Sequence, residues 1–411
     1  MKAHPLHNTG LRPVWSSLWF ALKPKPTGVR HLPSGLAYDR WLPTRDLDRY
    51  VDNVLERIGE VRRRLEPDID DDVIVGNAPF RLPAHGGGER RAVLMVHGLT
   101  DSSFVTRDLA DFFNAQGFEV LSLLLPGHGT CPGDLLGVTW RDWLSALREA
   151  IDALSASKAT VYVCGFSLGA TLGLYQALLD PRVAGLFLFA PALQLPGVVR
   201  FAHGLHGISG WLPHLRWIDV QPDEDPYKYE SMATGAVVQT AQLVEQLRQL
   251  RRLRAIRIPL FVAASEDDLT VIGSASLEFF KGAASELKRM LYFTRNAPEV
   301  PEQVRLIYSR IPERHIVSAA HTSLIVSPEN PHYGEHGDYC FCTHYYRTDH
   351  GDYERCKARH EDYLGEIGQQ VEPHHILRRL TFNPWWEETL DEVKSFIARL
   401  PETRVGVAAT G

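Results

Sequence analysis

Short apolar runs alternate with amphipathic segments from about residue 92 onward. The first run, 92–96, is apolar on both faces, which predicts a strand buried in a central sheet. The segments between the runs predict helices. Strands that alternate with helices form a mostly parallel sheet flanked by helices, an α/β fold. The predicted strands are 92–96, 119–125, 160–164, 185–189, 260–264, 290–294 and 315–318, and the predicted helices are 104–116, 138–156, 168–180 and 385–400.

The first part of the chain precedes this alternation. Residues 1–72 predict an N-terminal extension with one accessory helix at 44–66, capped by Thr44 or Asp46. Short strands are predicted next, around 73–75 and 80–82, and a glycine turn at 86–88 leads into the first buried strand.

Two segments interrupt the alternation. Residues 194–257 are rich in Pro, His and Trp and end in a helix predicted at about 236–254, which indicates an insertion. Residues 327–382 form an irregular stretch dense in His, Tyr and charge. Loops of this length are uncommon unless they serve a function or cover something. The core is therefore assigned to 73–193 and 258–411.

Composition excludes several classes of protein. Hydrophobic residues make up 44% of the 411 and charged residues 23%, as in ordinary globular proteins and unlike collagen-like or largely disordered chains. A net charge of −6 does not favour nucleic acid as a partner. The five cysteines do not resemble a disulfide framework and favour a reducing compartment.

The apolar stretch 14–22 has nine residues, whereas a spanning helix needs about 20. Lys23 to Pro26 follow it where a secretory signal would have small residues. Packing against the domain is the first interpretation, and an aromatic anchor at a membrane surface and a secretion signal are the alternatives. We therefore expect a cytoplasmic protein, with peripheral membrane contact as an open alternative.

A nucleophile motif lies at one strand-to-helix junction. Gly165-Phe166-Ser167-Leu168-Gly169 has the G-x-S-x-G pattern, in which small flanking residues let a serine stand on a sharp turn at the end of a strand. A glycine-rich turn for close helix packing is the alternative. The strand before the motif and the Ala/Leu-rich helix after it favour a nucleophilic Ser167.

Three further segments accompany this motif: Val96-His97-Gly98-Leu99, Pro126-Gly127-His128-Gly129-Thr130 and Ala319-Ala320-His321. With them, the sequence resembles the α/β-hydrolase fold family over about 92–400, outside the two interruptions. It is most similar to the esterase and monoacylglycerol-lipase-like branch, of serine aminopeptidase S33 type. The resemblance implies a cap at 194–257 over the active site.

The family order of catalytic residues is Ser, then acid, then His. The G-x-x-D-x-x-V spacing of relatives selects Asp268, with Val271 three residues later. This chain has Ser265 where relatives have the leading Gly, so Asp267 remains an alternative acid. His321 is the predicted base, while His97 and His128 are interpreted as residues that shape loops.

An oxyanion needs donors aimed at it. The resemblance assigns this role to the backbone N–H groups of Leu99 and Leu168. Phe201, Ile208 and the segment 211–217, with Trp211, Leu212 and Trp217, are candidates for an acyl pocket or for the core of the cap. Arginines near the end of the cap helix, from Arg248 to Arg257, are explained by the helix dipole, with contact to anionic lipid head groups as the alternative.

A zinc site is suggested by the density of cysteine and histidine at Cys340, Cys342, His344, His350, Cys356 and His360. The spacing lacks the paired C-x2-C pattern of common zinc modules, so we predict a loop packed beside the active site, without metal or cofactor.

The leading hypothesis is a serine hydrolase that cleaves small-molecule carboxylic esters or acylglycerols through an acyl-enzyme. Amide or peptide hydrolysis by the same residues is the second hypothesis, because the fold does not decide between the two bonds. A non-catalytic binding protein on the same scaffold is the third.

Overall fold

A computed structural model describes residues 27–36, 42–85, 90–157, 159–197, 213–359 and 362–401. Its strands are β1 (Phe80–Leu82), β2 (Arg91–Val96), β3 (Glu119–Leu123), β4 (Thr160–Phe166), β5 (Val183–Phe189), β6 (Trp217–Asp219), β7 (Met232–Ala233), β8 (Leu260–Ser265), β9 (Lys288–Thr294), β10 (Val304–Tyr308), β11 (Tyr363–Gly365) and β12 (Leu377–Arg379). Its helices are α1 (Leu47–Leu65), α2 (Asp71–Asn77), α3 (Arg107–Ala115), α4 (Trp140–Ala156), α5 (Leu168–Ala177), α6 (Thr234–Arg251), α7 (Gly273–Gly282), α8 (Thr343–Tyr346), α9 (His350–Lys357) and α10 (Trp386–Ile397).

Within the described residues, eight strands form the central sheet, in the order β1-β3-β2-β4-β5-β8-β9-β10. Every neighbouring pair is parallel except β1 with β3 at one edge. Two apolar cores lie against the sheet, one including α4 and α5 and the other including α3 and α10. The predicted α/β fold, a mostly parallel sheet flanked by helices, is confirmed.

The register of the sheet brings two predicted loops together. Val96 at the end of β2 pairs with Gly165 near the end of β4. The chain after β2 and the turn after β4 therefore leave the sheet at the same edge, where ligands of open parallel sheets bind. This edge carries the candidate site.

The accessory helix predicted at 44–66 is α1. The Asp46 carboxylate accepts a hydrogen bond from the backbone N–H of Arg49, so Asp46 rather than Thr44 caps the helix. Buried residues along one face, including Tyr50, Val54 and Ile58, pack against the core.

Two predicted strands are wrong. Residues 73–75 lie in α2, because Asp70 caps the segment through the backbone N–H of Asp72 and two acidic residues in the first turn favour a helix N-terminus. Residues 315–318 do not join the central sheet. His315 has a φ of 52°, which interrupts an extended chain, and Ile316 makes only isolated bridges to Ile311 and Leu364. The last strand of the sheet is instead β10.

The two interruptions contain short elements. In 194–257, β6 and β7 pair antiparallel, and α6 packs against α4 and α5. In 327–382, β11 pairs in parallel with β12. The glycine turn at 86–88, the apolar stretch 14–22 and much of the predicted acyl pocket (Phe201, Ile208, Trp211 and Leu212) lie outside the described residues.

One disulfide joins Cys342 and Cys356, with 5.9 Å between their Cα atoms. The cysteine spacing did not predict this bond. The two cysteines meet only because α8 and α9 pack together in the folded chain. Cys131, Cys164 and Cys340 are free and buried. Among the helices in the described residues, none is both long and apolar enough to span a bilayer.

Candidate active site

Ser167 stands on the turn between β4 and α5 with φ 52° and ψ −112°. Its backbone N–H donates to the carbonyl of Phe189, which anchors the turn to the sheet (2.9 Å). A Cβ on Gly165 would lie 2.4 Å from the Ala170 nitrogen, and one on Gly169 would lie 2.1 Å from the Val96 oxygen. Only glycine fits at both positions, so the motif allows helix, turn and strand to approach closely enough to present Ser167.

The structure brings Ser167, His321 and Asp268 together as a chain of hydrogen bonds. The Nε2 atom of His321 lies 2.9 Å from Ser167 Oγ, and its Nδ1 atom lies 2.6 Å from Asp268 Oδ2. All three residues are buried. The imidazole is therefore in contact with both a hydroxyl and a carboxylate, as transfer of the Ser167 proton requires.

The two candidate acids point to different partners. Asp268 Oδ1 accepts the backbone N–H groups of Thr270 (2.8 Å) and Val271 (3.0 Å), which leaves Oδ2 for His321. Asp267 instead contacts Arg295 (2.7 Å) and accepts from the Ser309 hydroxyl (3.0 Å). Burial raises the pKa of Asp267, although Ser309 and Arg295 oppose the shift. Of the two, only Asp268 lies in hydrogen-bonding contact with His321.

Leu99 and Leu168, the two predicted oxyanion donors, line the same cavity as Ser167. Leu168 opens α5, so its N–H is among the helix amides without an intrahelical acceptor. Within the described residues, neither amide donates to another group. Both are available to an oxygen bound in the cavity.

His97 and His128 hold the loops around the predicted oxyanion site. His97 Nε2 accepts the Leu125 N–H (3.0 Å), and His128 Nε2 accepts the Thr100 N–H (3.2 Å). Burial lowers the pKa of His97 to about 4 and that of His128 to about 3. Both rings are therefore neutral at pH 7 and fix backbone groups, in agreement with their predicted role in loops.

A cavity of about 350 Å³ opens above Ser167. Its apolar wall includes Leu195, Ile218, Met232, Val237 and Leu269, most of which come from the 194–257 insertion. Trp217, a predicted pocket residue, instead packs edge-on against the His31 ring at 5.0 Å. The cavity can hold an apolar group next to the serine hydroxyl.

The insertion also contacts the loop after β2. The backbone N–H of Tyr229 donates to the Thr100 carbonyl (2.8 Å), and the Lys228 ammonium lies 2.6 Å from Asp101. The described residues of 194–257 thus supply one wall of the cavity and are attached to the loop that carries Leu99.

Sequence reasoning missed Lys228, Asp101, Glu366 and Arg379, all of which are in or beside the cavity. Glu366 accepts the backbone N–H of His321 (2.9 Å) and pairs with Arg379. No short motif marks these residues. For Glu366 and Arg379, the only signal was the unexplained length and charge of residues 327–382.

The cysteine- and histidine-rich stretch forms a small core. Cys342 and Cys356 are bonded to each other, and His344 Nε2 contacts the Leu377 carbonyl (3.0 Å). In the part of the chain that the structure describes, no group of three or more His, Cys, Asp or Glu side chains is arranged to hold a metal ion. His360 lies outside that part.

Arginines near the end of α6 contact other groups among the described residues. Arg248 pairs with Glu245, Arg251 lies over the Phe279 ring, and Arg254 donates to the Leu178 carbonyl. These contacts add a role in packing to the predicted interaction with the helix C-terminus.

Known proteins resemble the chain over this region. The model of the family described as serine aminopeptidase, S33, matches residues 87–296, about half of the chain. The chain is 31% identical over 205 residues to a thermostable monoacylglycerol lipase of a Bacillus species, an alignment that covers 48% of this chain and 79% of the lipase. It is 23% identical over 202 residues to a carboxylesterase of Bacillus subtilis, covering 47% of this chain and 77% of the esterase.

Among solved structures, a monoacylglycerol lipase of Paleococcus ferrophilus superposes with a TM-score of 0.43 and 20% identity, over 55% of this chain and 92% of that chain. The family match includes Ser167 and Asp268 and ends before His321.

Proposed function

The chain belongs to the serine aminopeptidase S33 family of hydrolases, and from this premise we propose that it is a serine carboxylic-ester hydrolase with Ser167 as its nucleophile. The main support for this proposal is that the hydrogen-bonded chain Ser167–His321–Asp268 lies at an apolar cavity of about 350 Å³. Similarity to a monoacylglycerol lipase and a carboxylesterase supports an ester as the bond that is cleaved.

In the first half of the reaction, Ser167 Oγ attacks the ester carbonyl carbon while His321 Nε2 takes the hydroxyl proton. Asp268 accepts the His321 Nδ1–H, which fixes the tautomer and stabilises the imidazolium. The amides of Leu99 and Leu168 donate to the developing oxyanion. Removing such a donor typically costs about 2.7 to 4 kcal/mol of transition-state stabilisation.

The imidazolium of His321 then returns its proton to the leaving alcohol, and the acyl group stays on Ser167. In the second half, His321 takes a proton from water, and the hydroxide attacks the acyl carbon. Collapse of the second tetrahedral intermediate releases the carboxylic acid and restores the Ser167 hydroxyl. These steps use only groups of this chain, the substrate and water.

The substrate class follows from the cavity. We propose that residues 194–257 act as a cap and that Ile218, Met232 and Val237 bind an apolar acyl chain. Charged residues including Lys228 and Glu230 lie elsewhere on the same cavity. This combination of walls suits an ester with an apolar acyl group and a polar alcohol, such as a monoacylglycerol.

A panel of substrates tests the proposal. We expect hydrolysis of p-nitrophenyl esters with acyl chains of increasing length and of monoacylglycerols, and little hydrolysis of aminoacyl anilides. Ser167→Ala is the control, and its kcat should fall by up to about 10⁶-fold. Hydrolysis of the anilides alone would contradict the ester assignment and favour an amidase.

A further inference from the structure

A buried ion pair lies directly behind the Ser167–His321–Asp268 chain. The Glu366 side chain has no solvent exposure, and Arg379 is 8% exposed. Arg379 Nε lies 2.8 Å from Glu366 Oε1, and Nη2 donates to Oε2 (2.9 Å). Burying two charges is costly, and such a pair is weak evidence for stability by itself. Its other contacts indicate what it does.

Glu366 holds the backbone of the proposed base. Its Oε2 atom accepts the His321 N–H at 2.9 Å. His321 belongs to no strand and lies just before the short 3₁₀ turn Thr322–Ile325. The sheet therefore does not fix the main chain of His321, and the Glu366 carboxylate supplies a direct contact to it.

Arg379 reaches the proposed acid from the same pair. Its Nη2 group donates to Thr270 Oγ1 at 2.7 Å. The backbone N–H of Thr270 in turn donates to Asp268 Oδ1 at 2.8 Å. One guanidinium–carboxylate pair thus contacts both the main chain of His321 and the loop that orients Asp268.

Backbone contacts fix the ion pair itself. Residue Leu364 of β11 donates to the His315 carbonyl (2.9 Å) and accepts the Val317 N–H (2.8 Å). The Glu366 N–H donates to Ser318 Oγ (2.8 Å). β12 ends at Arg379 and pairs with β11. The β11–β12 ribbon therefore supports the segment 315–318 that the central sheet does not include.

We propose that Glu366 and Arg379 are positioning residues that keep His321 and Asp268 aligned for proton transfer, and that this is the function of the ribbon in residues 327–382. The inference rests on the proposed hydrolase function. Neither residue touches the reacting atoms. Because a misplacement of about 1 Å can slow an enzyme by about 10²-fold, the pair should affect turnover more than substrate binding.

The first test measures kcat and KM of Glu366→Ala on a short p-nitrophenyl ester. We expect kcat to fall by about 10²-fold and KM to stay within about threefold. Glu366→Gln retains an acceptor for the His321 N–H and should restore kcat to within about tenfold of the wild type. Glu392→Ala is the matched control, because Glu392 pairs with Arg289 and Arg305 near the starts of β9 and β10, at the end of the strands opposite the site. It should lower stability and leave kcat unchanged.

A second test separates positioning from general damage. In a His321→Ala background, adding Glu366→Ala should change the residual rate by less than about threefold, because a residue that acts through His321 has nothing left to position. Arg379→Lys preserves the charge but cannot contact Glu366 and Thr270 at the same time. It should lower kcat by about tenfold in a protein that folds.

Some outcomes would overturn the inference. These are a kcat within twofold of the wild type for both Glu366→Ala and Arg379→Lys, a loss confined to KM, or an equal loss in Glu392→Ala. If the wild type hydrolyses no ester, the proposed function fails. If the wild type is active and these variants keep its kcat, only the positioning role fails.

Discussion

Replacing Asp268 by Asn changes one atom of the site and reverses a hydrogen bond. In the wild type, Asp268 Oδ1 accepts two backbone N–H groups, from Thr270 and Val271, while Oδ2 faces His321 Nδ1. The oxygen of the Asn amide must stay with the two N–H donors, because turning its NH₂ toward them would leave buried donors facing one another. Each hydrogen bond lost in this way costs about 1 to 3 kcal/mol.

The NH₂ group of the introduced amide therefore points at His321 Nδ1. An amide donor forces Nδ1 to become the acceptor and moves the ring proton to Nε2, where it faces Ser167 Oγ. The imidazole can then no longer take the Ser167 proton. A wrong tautomer of this kind lowers kcat by about 10⁴-fold, equivalent to about 5.4 kcal/mol of transition-state stabilisation.

Steady-state hydrolysis of a p-nitrophenyl ester measures this loss, with circular dichroism to check folding. Asp267→Asn is the matched control, because it removes the neighbouring carboxylate from Arg295 and Ser309. Arg295 is 41% exposed, so the change should lower stability by only about 1 kcal/mol and leave kcat within about threefold. More than a hundredth of wild-type activity in Asp268→Asn, or a larger loss in Asp267→Asn, would contradict the role of Asp268 in fixing the His321 tautomer.

Three further predictions concern the framework of the site. Gly169→Ala places a methyl group 2.1 Å from the Val96 oxygen and should lower the free energy of unfolding in urea by about 3 kcal/mol, whereas Gly137→Ala, with open space around it, should not; equal midpoints would contradict this. Burial lowers the pKa of His97 and His128 to about 4 and 3, so both should show neutral imidazole signals by NMR at pH 5. Unfolded histidines bind protons below about pH 6.5, so the stability that these two contribute is lost as the pH falls from about 6.5 toward 3. Cationic imidazole signals from either residue at pH 5 would contradict the lowered pKa values. Replacing Cys342 and Cys356 by Ser removes a cross-link between residues 14 positions apart and should lower the free energy of unfolding by about 3 kcal/mol. Equal unfolding free energies for the oxidised wild type and the variant would contradict this.

The sequence predicted the central parallel strands well, because strands buried on both faces are largely apolar. β10 was missed because only Val304 and Ile307 of its five residues are buried, and because Arg305 within it pairs with Glu388 and Glu392 of α10. The strand expected at 315–318 has an apolar centre, but its neighbour in space is the ribbon residue Leu364. Such pairing depends on contacts between distant parts of the chain, which periodicity does not report.

Ser167 and His321 were predicted from sequence, whereas the choice of acid and the contacts of Glu366 depend on the folded chain. The motif around Ser167 and the family order selected residues that the structure brings together with His321, and membership in the predicted family is confirmed. Spacing alone left Asp267 and Asp268 open, because only the direction of each side chain distinguishes two adjacent carboxylates. Glu366 lies 45 residues after His321 and carries no motif, so its contact appears only in the folded chain.

Covalent labelling tests directly whether Ser167 is the nucleophile. The folded protein is treated with a fluorophosphonate ester, digested and analysed by mass spectrometry, with Ser167→Ala as the control. We expect one adduct on the peptide that contains Ser167, loss of esterase activity in proportion to labelling, and no adduct in the variant. A folded protein that hydrolyses esters while Ser167 stays unlabelled, or that carries the adduct on another serine, would contradict the account.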